Sequence, residues 1–120
     1  MRVLVVEDEM LIAMLIKQML QELQCEVIGP VSSVEEAIAA VRAHPLDGAL
    51  LDMNLRGESS SPAAHECIDR AVPFLLVTGY DANNSEPPAF QTASRIKKPF
   101  NIEDLTDGML EVFVDRLKTH

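Results

Sequence analysis

Cysteine is scarce in this chain. Cys25 and Cys67 are the only two among 120 residues, and their spacing makes no Cys-x-x-Cys metal or redox motif. Both read as reduced, buried small hydrophobes of a cytoplasmic protein, with no disulfide between them. Basic residues are also short. Ten Lys and Arg stand against nineteen Asp and Glu, and the formal net charge of −9 is repelled by phosphate backbones and by anionic membrane surfaces. The basic stripe of a nucleic-acid reader is missing, so neither nucleic acid nor a membrane is expected as a partner. No apolar run approaches the roughly 18–20 residues of a membrane span. The opening Met1-Arg2-Val3-Leu4-Val5-Val6-Glu7-Asp8 has no basic stretch, long apolar run and small-residue cleavage site, so no secretory signal is expected. Internal repeats, low-complexity tracts and linkers are absent too. One domain spanning residues 1–120 is the expectation, of a size that buries a core without disulfides or structural metals.

What is present is an alternation of short apolar runs with longer amphipathic ones. Hydrophobic residues make up 48% of the chain and charged ones 24%, the usual balance of a folded globular domain. Val3–Val6, Val27–Ile28, Ala49–Leu51, Phe74–Val77 and Arg95–Ile96 mark five candidate strands. The continuously apolar ones suit parallel strands covered on both faces. Between them, Met10 to Leu23 carries Leu11, Met14, Leu15, Met19 and Leu23 near helical period, a stripe expected to face the core. Ser33-Val34-Glu35-Glu36 is a capping-box pattern, and Ser61-Pro62 reads as N-cap and first residue of a third helix. Asn101 caps a last helix with an apolar stripe at Ile102, Leu105, Met109, Val112 and Phe113. Two prolines and an Asn-Asn-Ser run between Asp81 and Thr92 oppose a regular helix, so the fourth is expected to be short or frayed. The alternation implies an α/β fold: a flavodoxin-like (βα)5 doubly wound sandwich with a parallel five-stranded sheet in order 2-1-3-4-5.

The residues that carry chemistry lie at the C-terminal ends of those strands. Glu7 and Asp8 follow the first strand, Asp52 ends the third, Thr78 the fourth, and Lys98 follows the fifth. In a sheet of this order ligands bind beyond the strand ends at the switch point between strands one and three, so these groups converge in one pocket. With ordinary pKa values near 4 the three acids are expected to be ionised. Two such charges about 4 Å apart repel by roughly 4 kcal/mol at an effective dielectric of 20, so the cluster calls for cations. Lys98 supplies one, and a hard divalent ion, Mg²⁺ above all, supplies the other. Asp52 is then a candidate nucleophile toward an activated phosphoryl group. Lys98 and the Thr78 hydroxyl stand ready for its oxygens, and Gly79 leaves room for the donor.

Together the motifs Val5-Val6-Glu7-Asp8-Glu9, Leu50-Leu51-Asp52-Met53-Asn54, Val77-Thr78-Gly79 and Lys98-Pro99-Phe100 resemble the receiver domains of two-component response regulators over essentially the whole chain. The resemblance implies a stand-alone receiver in a phosphorelay, phosphorylated on Asp52 by a phosphohistidine of a sensor histidine kinase or a histidine phosphotransfer protein. It implies Mg²⁺, with Mn²⁺ or Ca²⁺ as substitutes, held by Asp8, Asp52 and the main-chain carbonyl of Asn54, with Glu7 assisting. It also implies a cis Lys98-Pro99 bond, a downstream protein target, and no enzymatic activity beyond Mg-dependent self-phosphorylation and autodephosphorylation. Pro73-Phe74-Leu75-Leu76-Val77-Thr78-Gly79-Tyr80 looks like the PFxFATGY signature of the alphaproteobacterial FATGUY receivers, although Leu76 and Val77 replace the usual Phe and Ala. Three residues before Lys98, where receivers usually carry the aromatic ring that moves on phosphorylation, this chain has Arg95. Arg95 is therefore either a solvated edge residue or part of a different output surface, and Tyr80 either a buried anchor or a replacement switch aromatic.

Two other readings use the same residues. A haloacid-dehalogenase-like phosphohydrolase needs an acid two residues after its nucleophile; Asn54 stands there after Asp52, and Met10 after Asp8. A pseudo-receiver usually loses an acid or the lysine, and all are retained here. His44, His65 and His120 lie at no strand end and read as surface residues.

Overall fold

The computed structural model describes residues 1–79 and 86–114. Among these described residues, seven strands and five helices follow in chain order: β1 (Arg2–Val6), α1 (Met10–Glu22), β2 (Glu26–Val31), α2 (Val34–Ala43), β3 (Gly48–Asp52), β4 (Asn54–Leu55), β5 (Glu58–Ser59), α3 (Ser61–Asp69), β6 (Phe74–Thr78), α4 (Pro88–Gln91), β7 (Arg95–Lys97) and α5 (Ile102–Met109). A π-helical turn, Leu110–Val114, continues α5. Five strands form one parallel sheet in the order β2-β1-β3-β6-β7. This is the expected flavodoxin-like order once the small β4–β5 hairpin, which sequence reasoning did not foresee, is set aside.

Strand alternation sorts the core into two layers. Leu4, Val6, Leu51 and Leu76 point to one face and pack with α2, α3 and Phe90 of α4. Val3, Val5, Leu50, Leu75 and Val77 point to the other, where Ile16, Leu20, Leu105 and Phe113 cover them. Fully burying a side chain of this size is worth about 1.5–3 kcal/mol, so both layers contribute heavily. Gly48 is required at its place: a Cβ there would stand 2.6 Å from ring carbons of Phe113. Asn101 makes the capping box with Asp104 that starts α5, and the Ser33 hydroxyl accepts the Glu36 N–H at α2.

Two helix expectations need correction. Three residues of the stripe expected to bury α1 turn outward: Leu11, Met14 and Leu15 are 87%, 52% and 50% exposed, while Met19 and Leu23 pack against the core and Ala13, Ile16 and Leu20 face the sheet. Apolar residues surround most of this helix, so periodicity alone did not select the buried face; contact with β1 and β2 did. Ser61 is not the N-cap of α3 but its first residue, and Ser60 holds the cap position without a side-chain cap bond. The fourth helix is short as expected, at four residues. Tyr80, His120 and part of the Asp81–Thr92 stretch lie outside the described residues. His44 and His65 are exposed; Cys67 is buried and Cys25 half-buried, both with free thiols. Burial pushes the Cys67 thiol up to about 12, which makes it chemically quiet.

Candidate functional site

Strand register brings the expected groups to one edge of the sheet. Val6 lies opposite Leu51, Asp52 opposite Val77, and Thr78 opposite Lys97, so the four strand ends stop side by side. The Lys98 N–H donates to the Thr78 carbonyl at 2.8 Å, and the Glu7 N–H to that of Val31 at 3.0 Å, fixing the exits of β7 and β1. The Lys98-Pro99 bond is cis, as expected.

Ligand oxygens of Glu7, Asp8 and Asp52 lie within 4.8 Å of one another. Lys98 Nζ is 3.1 Å from Glu7 Oε1 and 3.4 Å from Asp52 Oδ2. Thr78 is buried at the end of β6. The side chains of Glu7 and Asp52 are only 1% and 11% exposed, so their charges are poorly shared with water. One ammonium cannot balance three carboxylates at this separation.

The protein answers part of that imbalance with a proton. Burial, reinforced by a hydrogen bond with Asp52, pushes Glu7 up to about 7, against the opposing Glu9 N–H at 3.1 Å. The expectation of three ionised acids thus fails for Glu7, which desolvation holds partly neutral near pH 7 when no cation is bound. For Asp8, burial pulls upward, but the Arg56 N–H at 2.8 Å and a hydrogen bond with Glu7 outweigh it and hold the carboxyl below its usual range. Burial also works against the charge of Lys98, yet the Glu7 hydrogen bond and the Asp52 charge keep it above the ordinary lysine value.

Glu7 Oε1 is buried and, among the described residues, meets no donor beyond the Lys98 ammonium, 3.1 Å away. An under-satisfied carboxylate oxygen among hard oxygen donors suits a divalent ion such as Mg²⁺. Asn54 begins β4; its N–H reaches Asp52 Oδ1 at 3.4 Å, and its side-chain oxygen accepts the Gly57 N–H at 2.8 Å, so the side chain shapes the hairpin turn.

Residues 3–109 match the response regulator receiver domain family. The chain belongs to that family. The receiver is 33% identical over 102 residues to the transcriptional regulatory protein YvrH of Bacillus subtilis (strain 168), an alignment covering 82% of this chain and 43% of YvrH. It thus spans less than half the length of that curated relative. Among solved structures it superposes on SdrG from Sphingomonas melonis Fr1 with a TM-score of 0.78 and 36% identity, covering 90% of this chain and 92% of SdrG. The response regulator PhyR from Brucella abortus gives a TM-score of 0.86 at 28% identity, over 98% of this chain and 49% of PhyR.

Sequence reasoning missed two parts of this receiver's site. Ser60 is fully buried; its hydroxyl donates to the Asp52 carbonyl at 2.5 Å and its N–H to the Met53 carbonyl at 3.0 Å. Three consecutive serines, Ser59 to Ser61, hid which one does this. Arg56, at φ 54°, turns the hairpin so that its N–H meets Asp8. The hairpin therefore braces both Asp8 and Asp52, a long-range arrangement with no local signature. Arg95 is no solvated edge residue: its side chain is 11% exposed and paired with Glu86.

Proposed function

We propose that this receiver, acting as a unit of residues 1–120, accepts a phosphoryl group on Asp52 from a phosphohistidine of a sensor histidine kinase or histidine phosphotransfer protein. The observation that carries this reading is the buried cluster in which Asp52 shares Lys98 with Glu7, with Asp8 completing an acidic pocket. An Asp52 carboxylate oxygen attacks phosphorus; the new P–O bond forms as the P–N bond breaks, and the electron pair stays on the imidazole nitrogen. The Lys98 ammonium, 3.4 Å from Asp52 Oδ2, neutralises one phosphoryl oxygen, and the Thr78 hydroxyl donates to another. Mg²⁺ held by Asp8, Asp52, Glu7 and the Asn54 carbonyl would balance the remaining charge, with Mn²⁺ or Ca²⁺ as hard-ion substitutes. Hydrolysis of its own aspartyl phosphate is the only further chemistry we assign.

Partner proteins dock beside this pocket. The exposed Leu15 of α1 lines a groove of about 350 Å³ together with Ile12, Ile16, Lys98, Pro99 and Phe100, and Leu11 and Met14 are exposed on the same helix. Such an apolar surface at the mouth of the pocket suits the phosphodonor protein. Output goes through protein contacts or onward phosphoryl transfer in the cytoplasm, and a net charge of −9 argues against nucleic acid as the target.

Intact-protein mass after incubation with acetyl phosphate and Mg²⁺ tests the assignment. One phosphoryl adduct is expected for the wild type and none for Asp52→Asn; an adduct that persists in the variant overturns it.

A further inference from the structure

The β4–β5 hairpin turns on two residues, Arg56 and Gly57, between the paired Leu55 and Glu58. Both have positive φ, 54° and 82°, the mark of a type I′ turn, whose first position suits asparagine or glycine best. Arginine there carries a backbone strain that those residues would largely avoid. Strain of this kind persists only where the surroundings hold it, and it points to work done by the side chain.

Arg56 is held at two ends. Its N–H donates to Asp8 Oδ2 at 2.8 Å, and its guanidinium Nη2 donates to Ser32 Oγ at 3.3 Å. The Ser32 hydroxyl in turn donates at 3.4 Å to Oε1 of Glu36, in the first turn of α2. One arginine therefore ties the hairpin tip to the β2–α2 loop with its side chain and to Asp8 with its main chain. Leu55, buried at the base, and the Asn54 side chain on the Gly57 N–H shape the hairpin itself. The Ser32 contact adds a restraint from outside the hairpin on how its tip leans toward Asp8. With Oδ2 engaged by the Arg56 N–H, Asp8 has Oδ1 left for an ion, and a carboxylate fixed in advance by such a donor binds a metal better than a loose one.

We propose that the Arg56 side chain, by tying the hairpin tip to Ser32, aims the Arg56 N–H at Asp8 and so sets the affinity of the acidic pocket for Mg²⁺. The inference rests on the reading of Glu7, Asp8 and Asp52 as the metal site. Arg56 acts through Asp8 and is a positioning residue. It is exposed, so water and salt screen the repulsion between its guanidinium and the ion. Aim thus outweighs repulsion, and loss of the side chain weakens binding.

The test uses the whole chain and three readouts: Mg²⁺ affinity by calorimetry, hydrogen exchange of the residue-56 amide in EDTA, and the denaturation midpoint. Arg56→Asn keeps the N–H and suits the turn, yet removes the guanidinium. Ser32→Ala removes the other end of the tie, and α2 keeps its start because Ser33 is the residue that caps it. Arg56→Asn is expected to denature no earlier than wild type. Its residue-56 amide should exchange about two- to tenfold faster and its Mg²⁺ affinity fall about two- to tenfold, the range for loss of one hydrogen bond. Ser32→Ala should match both changes, and the double variant should add nothing to either. Unchanged or tighter Mg²⁺ binding in Arg56→Asn overturns the proposal, since repulsion then outweighs aim. A loss in Arg56→Asn that Ser32→Ala does not share overturns it too, as does a loss that only follows a lowered denaturation midpoint. A wild type that binds no Mg²⁺ overturns the metal reading itself, and the inference falls with it.

Discussion

Glu7 makes the stability of the metal-free domain depend on pH in an unusual direction for a carboxylate. Its pKa rises from 4.5 to about 7 on folding, chiefly because the side chain is buried and then because of its hydrogen bond with Asp52. A folded-state value above the unfolded one means that folding favours the protonated acid. The stabilisation is complete below pH 4.5 and is lost as pH rises through about 7. At roughly 1.36 kcal/mol per unit, the swing amounts to about 3 kcal/mol, or on the order of 10 °C in Tm for a domain of this size. In EDTA, thermal melts are therefore expected to fall by several degrees between pH 5 and pH 8. Asp8, held below its usual range despite its burial by the Arg56 N–H and Glu7, titrates below this window and does not blur it. Glu7→Gln keeps the shape without the charge and should flatten the slope, melting above wild type at pH 8. Millimolar Mg²⁺ should restore the wild type at pH 8, since the ion favours the ionised acid and releases its proton. Equal melting temperatures at pH 5 and pH 8 in EDTA, or an unchanged slope in Glu7→Gln, would refute the electrostatic account of the pocket.

Three further outcomes are expected. Gly48→Ala drives a methyl group into the Phe113 ring at 2.6 Å and should cost about 1–3 kcal/mol, read as a lowered denaturation midpoint. Ser60→Ala leaves the buried Asp52 carbonyl without its hydroxyl donor; a loss of about 1–3 kcal/mol in chemical denaturation, with weaker Mg²⁺ binding by calorimetry, is expected. Leu11→Ser with Leu15→Ser changes exposed positions of α1, so stability should stay within about 0.5 kcal/mol. Transfer from a cognate phosphodonor protein should then slow while labelling by acetyl phosphate is unchanged; equal loss in both assays would exclude a docking role.

Much of this receiver was legible before any coordinates. Val3–Val6 and Phe74–Val77 read as buried parallel strands because they are apolar on both faces, and Asn101 read as a cap because an apolar helical stripe begins just after it, at Ile102. Glu7, Asp8, Asp52, Thr78 and Lys98 could be gathered into one pocket because strand order alone decides which strand ends are neighbours. The outward face of α1 could not be chosen, since apolar residues nearly encircle it and only docking against the sheet separates Ile16 from Leu15. Nor could the protonation of Glu7, which depends on how much water its neighbours exclude.

Sequence by itself determined the fold class and which acids, threonine and lysine stand at the strand ends, because local periodicity and strand ends are properties of short stretches of chain. Tertiary structure alone decided the brace of Ser60 and Arg56 on the two aspartates and the inward turn of Arg95 onto Glu86. These are contacts between groups separated in the chain or turned away from their expected face, and their energies arise from burial and geometry that exist only once the domain is packed.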